Sequence, residues 1–437
     1  MIQNPWAYIP TLYLAEGFPY IIINTVSVLL YAQLGYPNEQ ITLWTGWLYL
    51  PWILKMFWSP LVDANFTKRR WLLGAQLAMS VVLLGIAGLV CWHGLAAVSS
   101  AQWGFFTLSL LGFLIGAFVS ATLDIATDGY YLLALSPKQQ GYFVGIRTIF
   151  YRIAMILGSG LLVSAAGYLT QHGVAAPFHW VIFFGLLALF FAGCAVYHMA
   201  ILPRPEQDQP AKITQVTAWK EAFSGYFRQE HIIYILLFIL LYRFGEALLE
   251  KIVPLFLVKP VTDGALGISM QDYGLIKGTL GLGAIILGNL LGGWLLGRFG
   301  FKKCIWPFAI ALVLPNIFYV YLANAHPGLV TVATLITLEN FGYGLAMMAL
   351  TVFIMYVSQG KYKTSHYAIS TGIMALGMMV PSMLSGKMQA VLGYRNFFLA
   401  AFMISLITFA IVPLCFKIST IDQAESIYRV PHEKRNS

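Results

Sequence analysis

The sequence predicts an all-α membrane protein: twelve transmembrane helices in two six-helix bundles, with both termini in the cytoplasm. Composition, the lengths of the apolar runs and the placement of basic residues predict it. The 437 residues are 59% hydrophobic and 10% charged, with a mean hydropathy of +0.75. A soluble protein carries about 25% charged residues, so the solvent here is lipid. Apolar runs lie near residues 8–33, 41–63, 71–93, 103–134, 142–168, 178–201, 231–258, 271–298, 304–323, 328–358, 364–391 and 395–417. Each exceeds the nine to eleven alternating residues of a barrel strand and suits a helix, whose backbone satisfies itself in hydrocarbon.

The loops alternate in charge. Those after the second, sixth, eighth and tenth spans carry Lys68-Arg69-Arg70, Arg204/Lys212/Lys220/Arg228, Arg298/Lys302/Lys303 and Lys361/Lys363. Loops after the first, third, fifth and ninth contain no Lys or Arg. Lys and Arg concentrate on the cytoplasmic side, which places both termini there. The net charge of +9 therefore sits in short loops rather than along one face, and no nucleic-acid partner is expected.

Taken in order, the first span contains "AEGFPY", where Pro19 frees the carbonyl of Ala15 and Gly17 loosens the same turn. Glu16 in that turn can contact a ligand or take a proton. The second span holds Trp44, Trp47, Trp52 and Trp58, read as packing or interfacial residues, then Lys55 and, at its end, Asp63. The fourth runs inward through "TLDIATDGYY". Asp124 lies there about ten residues, or roughly 15 Å, from the cytoplasmic end. Arg152 in the fifth span has a matching depth, so an Asp124–Arg152 pair is expected near mid-membrane. Asp128, Arg147 and Asp63, with Lys55, Lys68, Arg69 and Arg70 beside them, form a shallower layer that reads as a cytoplasmic gate.

Residues 203–230 are polar, begin Pro-rich and contain a candidate surface helix at 216–227 with Trp219, Phe223 and Phe227 on one side. The expected organisation is therefore a first bundle (1–201), a linker (202–230), a second bundle (231–417) and a cytoplasmic tail (418–437). In the seventh span Arg243, Glu246 and Glu250 share one face, with Glu339 of the tenth near the same depth. Lys277, in the eighth, is expected level with Glu250 or Lys251. Ionisable groups inside a bilayer are costly and mark functional sites by default. The glycines of the eighth span (Gly274, Gly278, Gly281, Gly283, Gly288, Gly292) and Gly112/Gly116 of the fourth read as close helix packing.

Several classes are excluded or disfavoured. No HExxH, GxSxG or paired-His pattern suggests an enzyme, and no Walker A motif suggests ATP hydrolysis. Cys91, Cys194, Cys304 and Cys415 are far apart and read as small hydrophobes, and no metal or cofactor is expected. A channel repeats its pore-lining residues, and the two halves carry unlike charges. Their loops nevertheless echo each other: "SPLVDANFTKRRWLL" after the second span matches "GGWLLGRFGFKKCIW" after the eighth in position and length. Twelve helices in two parallel six-helix repeats make the major facilitator architecture.

Two stretches carry a family resemblance. "LPWILKMFWSPLVDANFTKRRWLLGAQ" (Leu50–Gln76) resembles the second-to-third-helix signature of AmpG-type permeases. "ATLDIATDGYYLLALSPKQQGYFVGIRTIFYRIAMILGSG" (Ala121–Gly160) is similar to their fourth-to-fifth-helix region and to that of related acetyl-coenzyme A transporters. Lys55, Asp63, Asp124, Asp128 and Arg152 fall on motif positions. Leu123 stands where the family usually has Gln, and Thr67 where a glycine usually opens the basic triplet. The resemblance implies a monomeric, proton-coupled importer in a bacterial inner membrane, with a small-molecule substrate and protons as partners. Muropeptides, siderophores and acyl-coenzyme A esters are the substrate classes it implies.

Overall fold

The computed structural model describes residues 4–95, 102–175, 177–210, 221, 223–358 and 363–418, and is helical throughout its regular elements. We number the long helices in chain order. α1 is Pro5–Gln33. α2 covers residues 38–64 as Asn38–Gly46, the 3₁₀ turn Trp47–Tyr49 and Leu50–Ala64. α3 is Lys68–Leu95 and α4 is Gln102–Ala134. α5 starts with Pro137–Ile156, passes through a π turn at Leu157–Leu161 and ends with Leu162–Gln171. α6 is Phe178–Ile201, α7 Ile232–Val258, α8 Met270–Phe299, α9 Phe301–Ala325 and α10 Leu329–Val357. α11 is the long run Ser365–Cys415.

Ten helices among the described residues are long and apolar enough to cross a membrane. The sequence predicts twelve spans, and the difference lies at two places. α2, divided by its 3₁₀ turn, is not among the ten. α11 covers the last two expected spans as one run, and its backbone leaves helical geometry at Gly393 (φ 71°, ψ 166°), a left-handed φ that favours glycine. Of the candidate surface helix, Phe223–Phe227 is helical, with the Phe223 and Phe227 rings 4.9 Å apart. Trp219 lies outside the described residues.

Large apolar side chains cover the outside as well as filling the core. Val330 is 81% and Val391 78% exposed, a surface that belongs in lipid. Hydroxyls within the helices bond back to the preceding turn, as Thr45 does to Ile41 O (2.7 Å), Ser159 to Met155 O (3.0 Å) and Thr351 to Met347 O (2.9 Å). These bonds satisfy the hydroxyl hydrogens within the helices themselves.

The two ends of the molecule differ. One, the basic end, carries Lys68–Arg70, Arg204 and Arg298. Here Asp208, in the stretch following α6, accepts the Lys68 and Arg69 backbone N–H groups at 2.6 and 3.1 Å and so caps α3. Asp208→Ala is expected to remove about 1 kcal/mol of stability, seen as a lower thermal-denaturation midpoint in detergent, while Asp208→Asn keeps most of it. An unchanged midpoint for Asp208→Ala would show that the cap contributes nothing.

At the opposite end the first half (α1–α6) and the second (α7–α11) close on each other. Asn38 donates to Gln389 Oε1 (2.8 Å) and Tyr394 Oη (2.7 Å), and Lys259 donates to Tyr36 O (2.8 Å). The apolar core mirrors this. One cluster joins the first half to the opposite-end parts of α7–α11, whereas the basic-end part of the second half, from Ile235–Tyr242 to Ile411–Ile418, forms a cluster of its own.

Candidate functional site

Helix packing first decides where the spans approach closely enough to leave a cavity beside them. α5 and α8 meet through facing π turns, Leu157–Leu161 and Gly274–Gly281. A methyl group at Gly278 would sit 2.2 Å from Ser159 O, and one at Gly274 2.5 Å from Gly160 O. The helices touch backbone to backbone, which only glycine permits. The widened turn also frees carbonyls. Thr279 Oγ1 donates to Gly274 O at 3.1 Å, and Lys251 Nζ to Asn24 O, within the α1 π turn Ile22–Val26, at 3.4 Å. Gly288, by contrast, packs against α10 (Phe341 O, 2.3 Å).

Beside that contact, between the halves, lies a cavity with two adjoining lobes of about 160 and 420 Å³. They share Ile21, Thr25, Arg243, Glu250 and Tyr343. The smaller lobe is acidic and belongs mostly to the second half. Glu339 accepts from Tyr319 Oη (2.9 Å) and Asn340 Nδ2 (2.8 Å), and pairs with Lys277 at 3.4 Å. Lys277 also reaches Asn340 Oδ1 at 3.2 Å. Glu246 faces the same lobe with one buried carboxylate oxygen unpartnered. Depth alone put Lys277 level with Glu250 or Lys251, but its partner is Glu339, because the glycine face of α8 packs against α10.

The larger lobe takes residues from both halves, including Asp124, Arg152, Arg243 and Glu250. Asp124 pairs with Lys55 at 3.3 Å, not with Arg152 as matched depths predict. Lys55 projects from α2, which packs along α4, and so reaches Asp124 from the side. It therefore stands with the deeper acid rather than in the shallow layer where the sequence reading placed it. Arg152 lines the cavity, with Nη1 3.7 Å from Met155 Sδ. Arg243 donates to Tyr343 Oη, and its guanidinium lies 4.9 Å from that ring's centroid. Tyr49 Oη donates to Glu250 Oε1, and Lys251 lies over the Tyr49 ring at 5.3 Å.

Toward the basic end, Arg147 and Asp128 pair at 2.8 Å, and Asp128 is half-exposed. Tyr13 of α1 completes the group, donating to Asp128 at 2.9 Å and accepting from Arg147 at 3.0 Å. The shallow cluster thus ties α1, α4 and α5. Asp63's side chain lies outside the described residues. Arg69 Nη2 donates to Met199 O at 2.6 Å, while Lys68 and Arg70 occupy the first turn of α3. Glu16 is buried, with one carboxylate oxygen unpartnered. The helix continues through Pro19, and the irregular turn follows at Ile22–Val26.

The sequence reading missed the cavity's aromatic lining. Tyr20 and Trp52 meet edge to face at 5.4 Å, and both line the larger lobe with Tyr49, Tyr151 and Tyr343. In a chain that is 15% aromatic, nothing local marks these rings out from packing residues. No group of three His, Cys, Asp or Glu suited to a metal occurs among the described residues.

Comparison with known proteins bears on this arrangement. The family model described as Major Facilitator Superfamily matches residues 11–357. "Putative transporter AmpG 4" of Rickettsia conorii is 26% identical over 407 residues, covering 90% of this chain and 92% of that one. "Anhydromuropeptide permease" of Escherichia coli K12 is 25% identical over 354 residues, covering 80% and 67%. Among solved structures, a D-xylose-proton symporter superposes with a TM-score of 0.72 at 12% identity, over 94% of this chain and 96% of that one. A bacterial homologue of the lysosomal transporter Spinster has a TM-score of 0.72 at 13% identity, over 95% and 98%. At such identities these structures speak for the fold alone.

Proposed function

Because the chain belongs to the major facilitator superfamily, and is thus a membrane transporter and not an enzyme, we propose that it imports a muropeptide by proton-coupled alternating access. The observation that carries this reading is the charged cavity between the halves, sealed at one end by the α5–α8 contact. In the proposal twelve spans form two bundles, 1–201 and 231–417, joined by the linker 202–230 and followed by the tail 418–437. The protein acts as a monomer in a bacterial inner membrane. The basic end and both termini are cytoplasmic, following the loop charges, so the sealed end faces outward. The muropeptide assignment is supported by the relative named as an anhydromuropeptide permease and by the cavity's composition. Trp52, Tyr20 and Tyr343 offer flat apolar surface to sugar rings, and charged groups surround them.

The halves rock about the cavity. Tyr13, Asp128 and Arg147 hold the cytoplasmic ends of α1, α4 and α5 together, the role of an inner gate. Protons enter through acids whose partners are basic: Asp124 holds Lys55 and Glu339 holds Lys277. Protonating either acid removes one side of an ion pair and frees the lysine. Glu16 and Glu246, buried with an unpartnered oxygen each, complete the proton path. A coupling of about 1–3 kcal/mol between protonation and conformation suffices to drive a useful shift.

The test is uptake of an anhydromuropeptide into proteoliposomes with an imposed pH gradient. Uptake is expected to rise with the gradient, and Asp124→Asn and Glu246→Gln are each expected to remove that response. Should both variants keep full pH-driven uptake, the proton assignment fails. Equal uptake with and without the gradient removes proton coupling altogether.

A further inference from the structure

Two arginines, one from each half, line the larger lobe, and neither has an acid of its own. Lys55, Lys277 and Arg147 each hold a carboxylate. Arg152, on α5, makes one described polar contact, to the Met155 thioether. Arg243, on α7, is buried, stacks on Tyr343 and keeps its Nε without a partner. Glu250 and Glu246 line the cavity with Arg243, and neither forms an ion pair with it among the described residues. Tyr49 holds one oxygen of Glu250. Both guanidinium groups line this lobe together with Tyr343.

A guanidinium taken out of water is costly unless an anion compensates it. Its planar fork of donors fits a carboxylate or phosphate with two parallel hydrogen bonds. Lys55, beside the lobe, answers Asp124, which leaves Glu250 as the one other acid in the lobe's lining beside the two arginines. We infer that Arg152 and Arg243 form a clamp that takes one anionic group of the substrate, a carboxylate or a phosphate, from the two sides of the cavity. This inference rests on the reading of the cavity as the substrate site. Since the arginines stand on different halves, the anion ties the halves together, and the loaded carrier closes around it more readily than the empty one.

The test is equilibrium binding to the purified full chain by titration calorimetry. The probes are an anhydromuropeptide with free peptide carboxylates, the same compound with those groups converted to carboxamides, and a coenzyme A ester as the phosphate source. Wild-type protein is expected to bind the free acid at least tenfold more tightly than the amide, a comparison that needs no variant to fold. Arg152→Gln and Arg243→Gln are each expected to weaken acid binding at least tenfold and to bind acid and amide alike. Arg152→Lys, which keeps the charge without the fork, is expected to fall between. If the muropeptide does not bind but the coenzyme A ester does, with the same arginine dependence, the clamp stands and the muropeptide reading falls. If the muropeptide binds but acid and amide bind wild type equally, or the Gln variants lose affinity for both equally or not at all, the clamp is overturned and the transport reading stands. Should no probe bind wild-type protein, both fall.

Discussion

Gly278→Ala is expected to cut uptake more than fivefold, whereas Gly283→Ala, on the same helix, leaves it unchanged. The two glycines look alike in sequence and differ in surroundings. A methyl group at Gly278 lands 2.2 Å from Ser159 O and 2.5 Å from Gly160 Cα, whereas nothing lies within 4 Å of one at Gly283. Backbone atoms cannot turn aside as a flexible side chain can, so α5 and α8 must separate. Overpacking of this kind costs about 1–3 kcal/mol, a factor of roughly 5 to 150 in the balance between sealed and open outer ends. A carrier held open on that side spends less time releasing substrate inward. The direct readout is a cysteine at Thr25, which lines both lobes. With native Cys91 replaced by serine, Thr25→Cys is expected to react with an impermeant maleimide from outside faster when Gly278→Ala is present. Equal labelling and equal uptake would mean that the α5–α8 contact is not the outer seal.

The second large effect is at Glu339. Glu339→Gln leaves the Lys277 ammonium in the cavity wall without its carboxylate, and breaking a buried ion pair from one side costs about 3–5 kcal/mol. The single substitution is expected to lower the melting temperature in detergent and to abolish pH-driven uptake. Neutralising both partners removes the stranded charge. The double variant Lys277→Gln/Glu339→Gln is therefore expected to recover most of the thermal stability while remaining inactive. The coupling energy between the sites should lie within the roughly 0.5–3 kcal/mol typical of contacting residues. If the double variant melts at the temperature expected from simple addition, the two residues do not depend on each other. If it transports with a normal response to the gradient, the pair is structural and the proton route runs elsewhere.

How much of this was legible beforehand follows from the kind of information each feature needs. The helical class required only the length and apolarity of the runs, since hydrocarbon leaves the backbone few alternatives. The number of spans depends on where the backbone breaks. Hydropathy divides the chain at the polar break near Gly393, while the described backbone carries helical structure on both sides of it and interrupts α2 at Trp47–Tyr49. The ionisable residues stood out because a charge in an apolar run is conspicuous. Asp124, Arg152, Arg243, Glu246, Glu250 and Glu339 all line the cavity. Their partners did not stand out. Depth follows from counting residues at 1.5 Å each, but pairing also needs the rotation of each helix and the identity of its neighbours. Arg152 has the matching depth, yet Lys55 has the matching direction.

The sequence by itself determined that the chain lies in a membrane, that its spans are helices, and that a minority of costly charges sit within them. These properties depend on the free energy of moving residues from water into lipid, which is summed along the chain without reference to what lies beside it. Only the tertiary structure decided that Asp124 answers to Lys55, that Glu339 answers to Lys277, and that Trp52 and Tyr343 face the cavity rather than the packing. It also decided that Gly278 packs against the α5 backbone while Gly283 meets nothing within 4 Å. Those outcomes turn on short-range contacts between helices far apart in the chain, where a rotation of one helix by a single residue exchanges a cavity wall for a lipid face.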